Sequence, residues 1–294
     1  MTIQYGNLQP IDQTPEIITL RSGNAHLETR LYPRSSSETV ILLHGGPGVP
    51  DEMTEVREFL TGYLQVITFD QRGTGTVKCR ECTFSIADYI SDINCIASYA
   101  GLDRFHLFGH SWGGLYAQLY AMKHPERIIS LFLCSPVSGT GRVWNQSEKE
   151  VFRYNLSRST PGEMIRMALN AMLGLLGSDK AYRRLFRQII LNYHKGYNVP
   201  PPEPEKLVKI NSRAANKTRR AIKRYSPLPV FGTTPYPVMI TYGEFDAYGE
   251  SKKQVYERFS GAASAIIPNC GHTPWKHNPG EFKKVLKDFY GGMT

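Results

Sequence analysis

Residues 105 to 125, FHLFGHSWGGLYAQLYAMKHP, restrict this chain to few folds. The stretch opens as an apolar run, Phe105 to Phe108, and turns through Gly109-His110-Ser111-Trp112-Gly113. It continues with apolar residues at Leu115, Tyr116, Leu119, Tyr120 and Met122, which is helical spacing. Ser111 therefore stands at a sharp strand-to-helix turn, in a G-x-S-x-G frame whose glycines permit the turn. That arrangement lifts a serine hydroxyl above the end of a sheet. It also points a helix N-terminus, with its free N–H groups, at whatever oxyanion forms there.

The rest of the chain predicts a sheet to hold this turn. Strand-like runs fall at 16–21 and 26–32, joined by the turn sequence Ser22-Gly23-Asn24, and at 39–43, 65–69, 105–108, 128–133, 238–242 and 263–267. The run Thr39-Val40-Ile41-Leu42-Leu43 is continuously apolar, as expected of a strand covered on both faces. Helical patterns lie between them around 51–61, 85–99, 252–259 and 279–290, with Ser85 and Asp88 placed to cap the second and Pro279 to start the last. Strand–helix alternation of this kind predicts an α/β fold with an eight-stranded, mostly parallel sheet. From 137 to 234 the pattern is helical throughout, so the expected organisation is a core of 1–136 and 235–294 with a helical insertion between the sixth and seventh strands. On one helix after the Pro-rich break at 200–204, Lys206, Lys209, Arg213, Lys217, Arg220 and Arg224 form a basic stripe. The ligand crevice of an open α/β sheet lies beyond the carboxyl ends of its strands, so an insertion leaving from such an end can fold over it as a cap.

Charge separates the two parts. The net charge is +9, yet residues 138–230 alone hold 18 Lys/Arg against 6 Asp/Glu, a local +12. The N-terminus lacks a basic segment followed by an apolar one, and no run of ~18 apolar residues occurs, so neither signal peptide nor transmembrane helix is expected and the chain reads as cytoplasmic. Five cysteines, an odd and sparse set, predict reduced thiols, with Cys79 and Cys82 as two loop residues rather than a metal or redox pair. No phosphate-binding glycine loop or metal-ligand cluster stands out, so no cofactor and no metal is expected.

A serine hydroxyl needs a base within hydrogen-bond reach, and the base needs an orienting carboxylate. His272, just after the eighth strand, is the candidate base, and Asp246, just after the seventh, the candidate acid, with Glu244 as a rival acid two residues earlier. Serine, acid, histidine is the chain order of elbow hydrolases. The N–H of Trp112 and a second N–H from the loop at Gly45 and Gly46 are the candidate oxyanion donors. Asp103 and His106 precede the elbow and fall at the opposite edge of the sheet, and His110 reads as a packing residue.

Three motifs, His44-Gly45-Gly46-Pro47-Gly48, Asp70-Gln71-Arg72-Gly73-x-Gly75 and Gly109-x-Ser111-Trp112-Gly113-Gly114, make the chain similar to the α/β-hydrolase fold and, within it, to the prolyl iminopeptidase family of serine peptidases. The resemblance covers residues 15–136 and 237–290 and implies a cap insertion. Carried over, it implies a Ser111–His272–Asp246 triad and an oxyanion hole at Gly46 and Trp112; Gly45, Trp275 and Glu244 are the candidate substrate contacts. That family grips the free α-amine of its substrate with carboxylates in the cap and next to the triad acid, whereas here Ala247 follows Asp246 and the insertion is basic. The implied function is an aminopeptidase releasing N-terminal proline through an acyl-enzyme. The alternative is a small-molecule esterase, lactonase or amidase, whose anionic substrates the basic cap would steer. The expected partner is a small molecule or short peptide, with no nucleic acid and no membrane; the sequence does not indicate an oligomeric state.

Overall fold

A computed structural model describes residues 14–34, 38–50, 53–75 and 81–291. Strands β1 (Glu16–Ser22) and β2 (Ala25–Tyr32) form the expected antiparallel hairpin, and Gly23 takes the left-handed conformation that so tight a turn requires. Strands β3 (Thr39–Leu43), β4 (Gln65–Phe69), β5 (Phe105–His110), β6 (Ile128–Cys134), β7 (Val238–Gly243) and β8 (Ala263–Ile267) run parallel to one another. They complete one eight-stranded sheet in the order β1-β2-β4-β3-β5-β6-β7-β8. β3 and β5 are buried along their whole length, so both carry apolar residues toward each face of the sheet, and His106 inside β5 is buried against Ser130 at 2.8 Å.

Helices cover both faces. α2 (Ile86–Tyr99) and α3 (Trp112–Lys123) pack on one side through Tyr89, Ile93, Leu115 and Leu119. α1 (Thr54–Leu60), the short α10 (Pro274–His277) and α11 (Pro279–Tyr290) pack on the other through Val56, Leu60, Phe282 and Leu286. The start of α2 is closed by a capping box, Ser85 with Asp88, as the sequence predicts. The chain passes from β3 to β4 on one side and then crosses to β5 on the other. The carboxyl ends of β3 and β5 therefore flank the switch point where a crevice opens.

Between β6 and β7 lie only helices: α4 (Gly141–Arg158), α5 (Pro161–Leu175), α6 (Asp179–His194), α7 (Pro204–Val208) and α8 (Ser212–Arg224), before α9 (Lys253–Arg258) follows β7. The basic stripe expected on a single helix is split between α7 and α8. Asn211 breaks it: its side chain accepts from the Ala214 N–H as an N-cap, and its own N–H donates to the Gly48 carbonyl at 3.0 Å. An asparagine that can cap competes with helix continuation, and here a core contact rewards the break. Lys209 is drawn out of the stripe to Asp70 at 3.3 Å. The cysteine expectation also needs correction. Cys95, Cys134 and Cys270 are free thiols, but Cys82 is disulfide-bonded, and Cys79 lies outside the described residues. A sparse, odd count argues against a framework of bridges and does not exclude a single one.

Candidate active site

Ser111 sits where the sequence places it, between β5 and α3, with φ of 55° and ψ of −118°, a strained backbone for a residue with a side chain. Its surroundings hold it there. The Ser111 N–H donates to the Cys134 carbonyl, and the Ser111 carbonyl accepts from Gly114, Leu115 and Val137. The flanking glycines are a steric necessity. A Cβ on Gly113 would lie 2.0 Å from the Leu43 carbonyl oxygen, and one on Gly109 would lie 2.3 Å from that of Gly113.

The carboxyl ends of β5, β7 and β8 bring three side chains into one row. The Ser111 hydroxyl lies 3.0 Å from His272 Nε2, and His272 Nδ1 lies 3.1 Å from Asp246 Oδ1. Asp246 Oδ1 also accepts the Tyr248 N–H at 3.1 Å, and Oδ2 accepts the Ser135 hydroxyl at 2.6 Å. Burial pushes the Asp246 carboxyl up, but the attraction of His272 and the hydrogen bonds from His272, Ser135 and Tyr248 outweigh it and hold the pKa at about 2. With Asp246 accepting at Nδ1, the imidazole presents Nε2 to the serine, so the row can pass a proton from the hydroxyl to the ring.

Gly45 and Gly46 close over the same point. A Cβ on Gly45 would stand 3.6 Å from Ser111 Cβ, and one on Gly46 would stand 3.5 Å from the Trp112 ring. Trp112 is the first residue of α3, so its N–H is among those a helix start leaves without an intrahelical partner. Gln71 ties these parts together. It donates to the His44 carbonyl at 2.8 Å and accepts the Trp112 indole N–H at 2.8 Å, joining the loops after β3, β4 and β5. The next residue, Arg72, is buried and grips both oxygens of Asp92 from within the core. The DQRG loop is thus a brace for the site.

Trp275 lines the cavity above Ser111 and meets His110 edge to face at 4.6 Å, while His110 Nε2 donates to the His272 carbonyl at 2.9 Å. His110 packs and orients, as expected. Glu244 does not reach the cavity. It is exposed, and its carboxylate accepts the Asn269 N–H at 2.9 Å. Its own N–H still donates to Ile267 in the ladder with β8, so its side chain leaves on the outer side; only two residues later has the chain turned far enough for Asp246 to point inward. Three residues near the serine were missed. Ser135 was legible only as the residue after β6. Tyr248, whose hydroxyl lies 3.4 Å from that of Ser111, had no signal beyond its closeness to Asp246. Tyr193, from α6, covers the His272 ring at 4.8 Å, a contact that crosses some eighty residues of sequence and that local pattern cannot show.

Around this row, burial first of all pushes the histidine pKa values down, to about 3 at His110, about 4 at His194 and about 3 at His277. The last two meet, His194 Nδ1 to His277 Nε2 at 2.9 Å, and His277 Nδ1 accepts the Gly271 N–H at 3.0 Å, next to His272. Unfolding frees all three to titrate near 6.5. Their neutral burial therefore leaves stability intact above about 6.5, and stability falls as the unfolded state binds protons below it, by up to about 1.4 kcal/mol per pH unit for each histidine. Thermal melts should show Tm falling steadily from about pH 7 to about pH 5; a flat or rising Tm would contradict neutral burial.

A family model described as the alpha/beta hydrolase fold matches residues 38–275. The chain is similar to a proline iminopeptidase of Lactobacillus delbrueckii subsp. lactis, 25% identical over 286 residues, covering 91% of this chain and 95% of the relative. Among solved structures it resembles a proline iminopeptidase of Mycobacterium smegmatis, with a TM-score of 0.64 at 18% identity, covering 94% of this chain and 98% of the other. It resembles equally an enol-lactonase of Burkholderia xenovorans LB400, with a TM-score of 0.64 at 17% identity, covering 92% and 99%.

Proposed function

The chain belongs to the α/β-hydrolase family, and from that premise we propose that it is a serine hydrolase that cleaves esters of apolar carboxylic acids through an acyl-enzyme. The observation that carries the substrate class is the cavity above Ser111, ≈ 610 Å³, walled by Trp144, Leu156, Met167, Leu185, Phe186 and Ile189. A space of this size and lining gains free energy from hydrocarbon and gives little to a free ammonium group. One carboxylate, Glu148, does line it, but Arg219 lies within 2.7 Å of it and Lys223 Nζ within 2.7 Å. Burial raises the Glu148 pKa, and these two cations more than reverse that, so the group is ionised and already neutralised by partners. Glu150 accepts from Gly249, Ser251 N–H and the Ser251 hydroxyl; Glu163 caps α5; Asp179 accepts from Ser212. Among the described residues, none of these acids is left to form the carboxylate pair that a substrate amine needs.

In the reaction, Ser111 Oγ attacks the ester carbonyl carbon as His272 Nε2 takes its proton, and Asp246 stabilises the imidazolium so formed. The N–H groups of Trp112 and Gly46 receive the oxyanion. The tetrahedral intermediate collapses, the C–O bond to the alcohol breaks, and His272 returns the proton to the leaving oxygen. Water then attacks the acyl-enzyme by the same route, releasing the acid and restoring Ser111. Tyr248 closes one side of the serine and, donating to Oγ, limits its rotation.

A panel of p-nitrophenyl acetate, hexanoate and decanoate, set beside proline p-nitroanilide, tests the substrate class. The expected result is kcat/KM rising with acyl length, by as much as about fourfold per methylene while the cavity still has room. Faster turnover of the prolyl anilide than of any ester would overturn it. That second reading, release of an N-terminal proline, is favoured by the sequence relatives and needs Glu148 to be freed from Arg219 and Lys223.

A further inference from the structure

The outward face of α5 is apolar where a solvent-facing helix normally carries charge. Ile165, Leu169, Met172, Leu173, Leu175 and Leu176 are exposed by 45% to 79%. Residues 165, 169, 172 and 176 follow at steps of four, three and four, so they form one stripe, which Leu173 and Leu175 widen. The other side of the same helix gives Met164, Met167 and Ala171 to the cavity. Two residues belong to both surfaces: Ile165 and Phe152 line the cavity and are 63% and 64% exposed. The stripe therefore continues into the cavity mouth. An exposed apolar surface of this extent marks a site of association.

Charge says with what. Arg153 stands beside Phe152 and Arg166 beside Ile165, and on α6, which packs against α5, Lys180, Arg184 and Arg187 are exposed. The acids nearest to this face are engaged: Glu163 in the capping box with Thr160, and Asp179 with the N–H and hydroxyl of Ser212. Pairing two copies through α5 would bring together two segments that each carry a net +12, a repulsion that an anionic surface turns into attraction. Among the described residues no helix is long and apolar enough to cross a membrane.

We propose that α5 lies on the surface of an anionic lipid bilayer, its apolar stripe among the acyl chains and the flanking arginines and lysines at the headgroups, with the cavity mouth facing the lipid. This departs from the composition-based expectation of no membrane partner. It extends the apolar-ester reading, on which only the identity of the substrate rests: an apolar ester dissolved in the bilayer would enter the cavity without crossing water.

The test is co-sedimentation of the full chain with vesicles of phosphatidylcholine alone and of phosphatidylcholine with a minority of phosphatidylglycerol. The expected result is binding to the anionic vesicles, at least tenfold weaker to the neutral ones and weakened by salt. The double variant Leu169→Glu/Met172→Glu should lose binding at least tenfold while keeping its circular dichroism and its turnover of p-nitrophenyl acetate. Arg184→Glu/Arg187→Glu should lose the preference for anionic lipid. Failure of the wild type to bind anionic vesicles would overturn the proposal. So would a dimer seen by analytical ultracentrifugation without lipid that Leu169→Glu/Met172→Glu converts to monomer, because a second copy would then own the stripe. Vesicle binding without turnover of any ester would leave the surface standing and remove the substrate reading instead.

Discussion

Replacing Ser111 by alanine is expected to lower kcat by as much as a million-fold, on the order seen when a triad loses its nucleophile, while leaving the fold in place. Under the proposed mechanism the loss is large because, among the described residues, no other side chain beside His272 is placed to form the acyl-enzyme. Tyr248 stands 3.4 Å from the serine hydroxyl, but burial pushes its phenol well above the usual range, so it does not ionise to take over the attack. Stability should change little. The hydroxyl contacts His272 and Tyr248, and losing such hydrogen bonds costs about 1 kcal/mol each, while the backbone bonds that hold the strained turn remain. Single-turnover assays on a p-nitrophenyl ester, with thermal melts, check both halves. A fluorophosphonate should label Ser111 in the wild type and nothing in the variant. If the wild type fails to react, the nucleophile has been misassigned.

Asp246→Asn is expected to cost about ten-thousand-fold in kcat at neutral pH with KM little changed. The aspartate accepts from His272, Ser135 and the Tyr248 N–H, three donors on two oxygens. An asparagine has one oxygen to offer. Keeping that oxygen on Ser135 sets the amide NH2 in the place of Oδ1, against His272 Nδ1, which moves the ring proton to Nε2, where it blocks the serine; turning it to His272 and Tyr248 instead leaves the imidazolium without the charge that stabilises it. Because Asp246 is held at about pKa 2, its ionisation should leave no limb in the pH–rate profile of the wild type within the range where the protein is folded. Glu244→Gln, at the exposed position two residues earlier, should leave kcat unchanged. Near-normal turnover by Asp246→Asn would refute the assignment.

The sheet and the three residues of the row were legible because their signals are local. β3 and β5 carry apolar residues toward both faces, since both faces are covered, and the elbow needs Gly109 and Gly113 within two residues of Ser111 because carbonyl oxygens crowd both. His272 and Asp246 were legible as residues just past strand ends, because a parallel sheet gathers its carboxyl ends along one edge. Glu244 failed the same logic by one side-chain direction. Strand pairing with β8 persists through its N–H, and a residue still in the ladder points where the pleat sends it.

Sequence by itself determined the fold class, the strand order of the motifs and which serine, histidine and carboxylate could meet, since each depends on periodicity and on backbone geometry within a few residues. Tertiary structure alone decided which residues the helical segment turns to the cavity and which to solvent. Composition marks it as basic and helical, but Glu148 is neutralised by residues some seventy positions away, and α5 divides its apolar residues between a cavity and the solvent. Which face of a helix is covered depends on what the chain brings against it, and that partner is set by packing between distant segments, which no local pattern records.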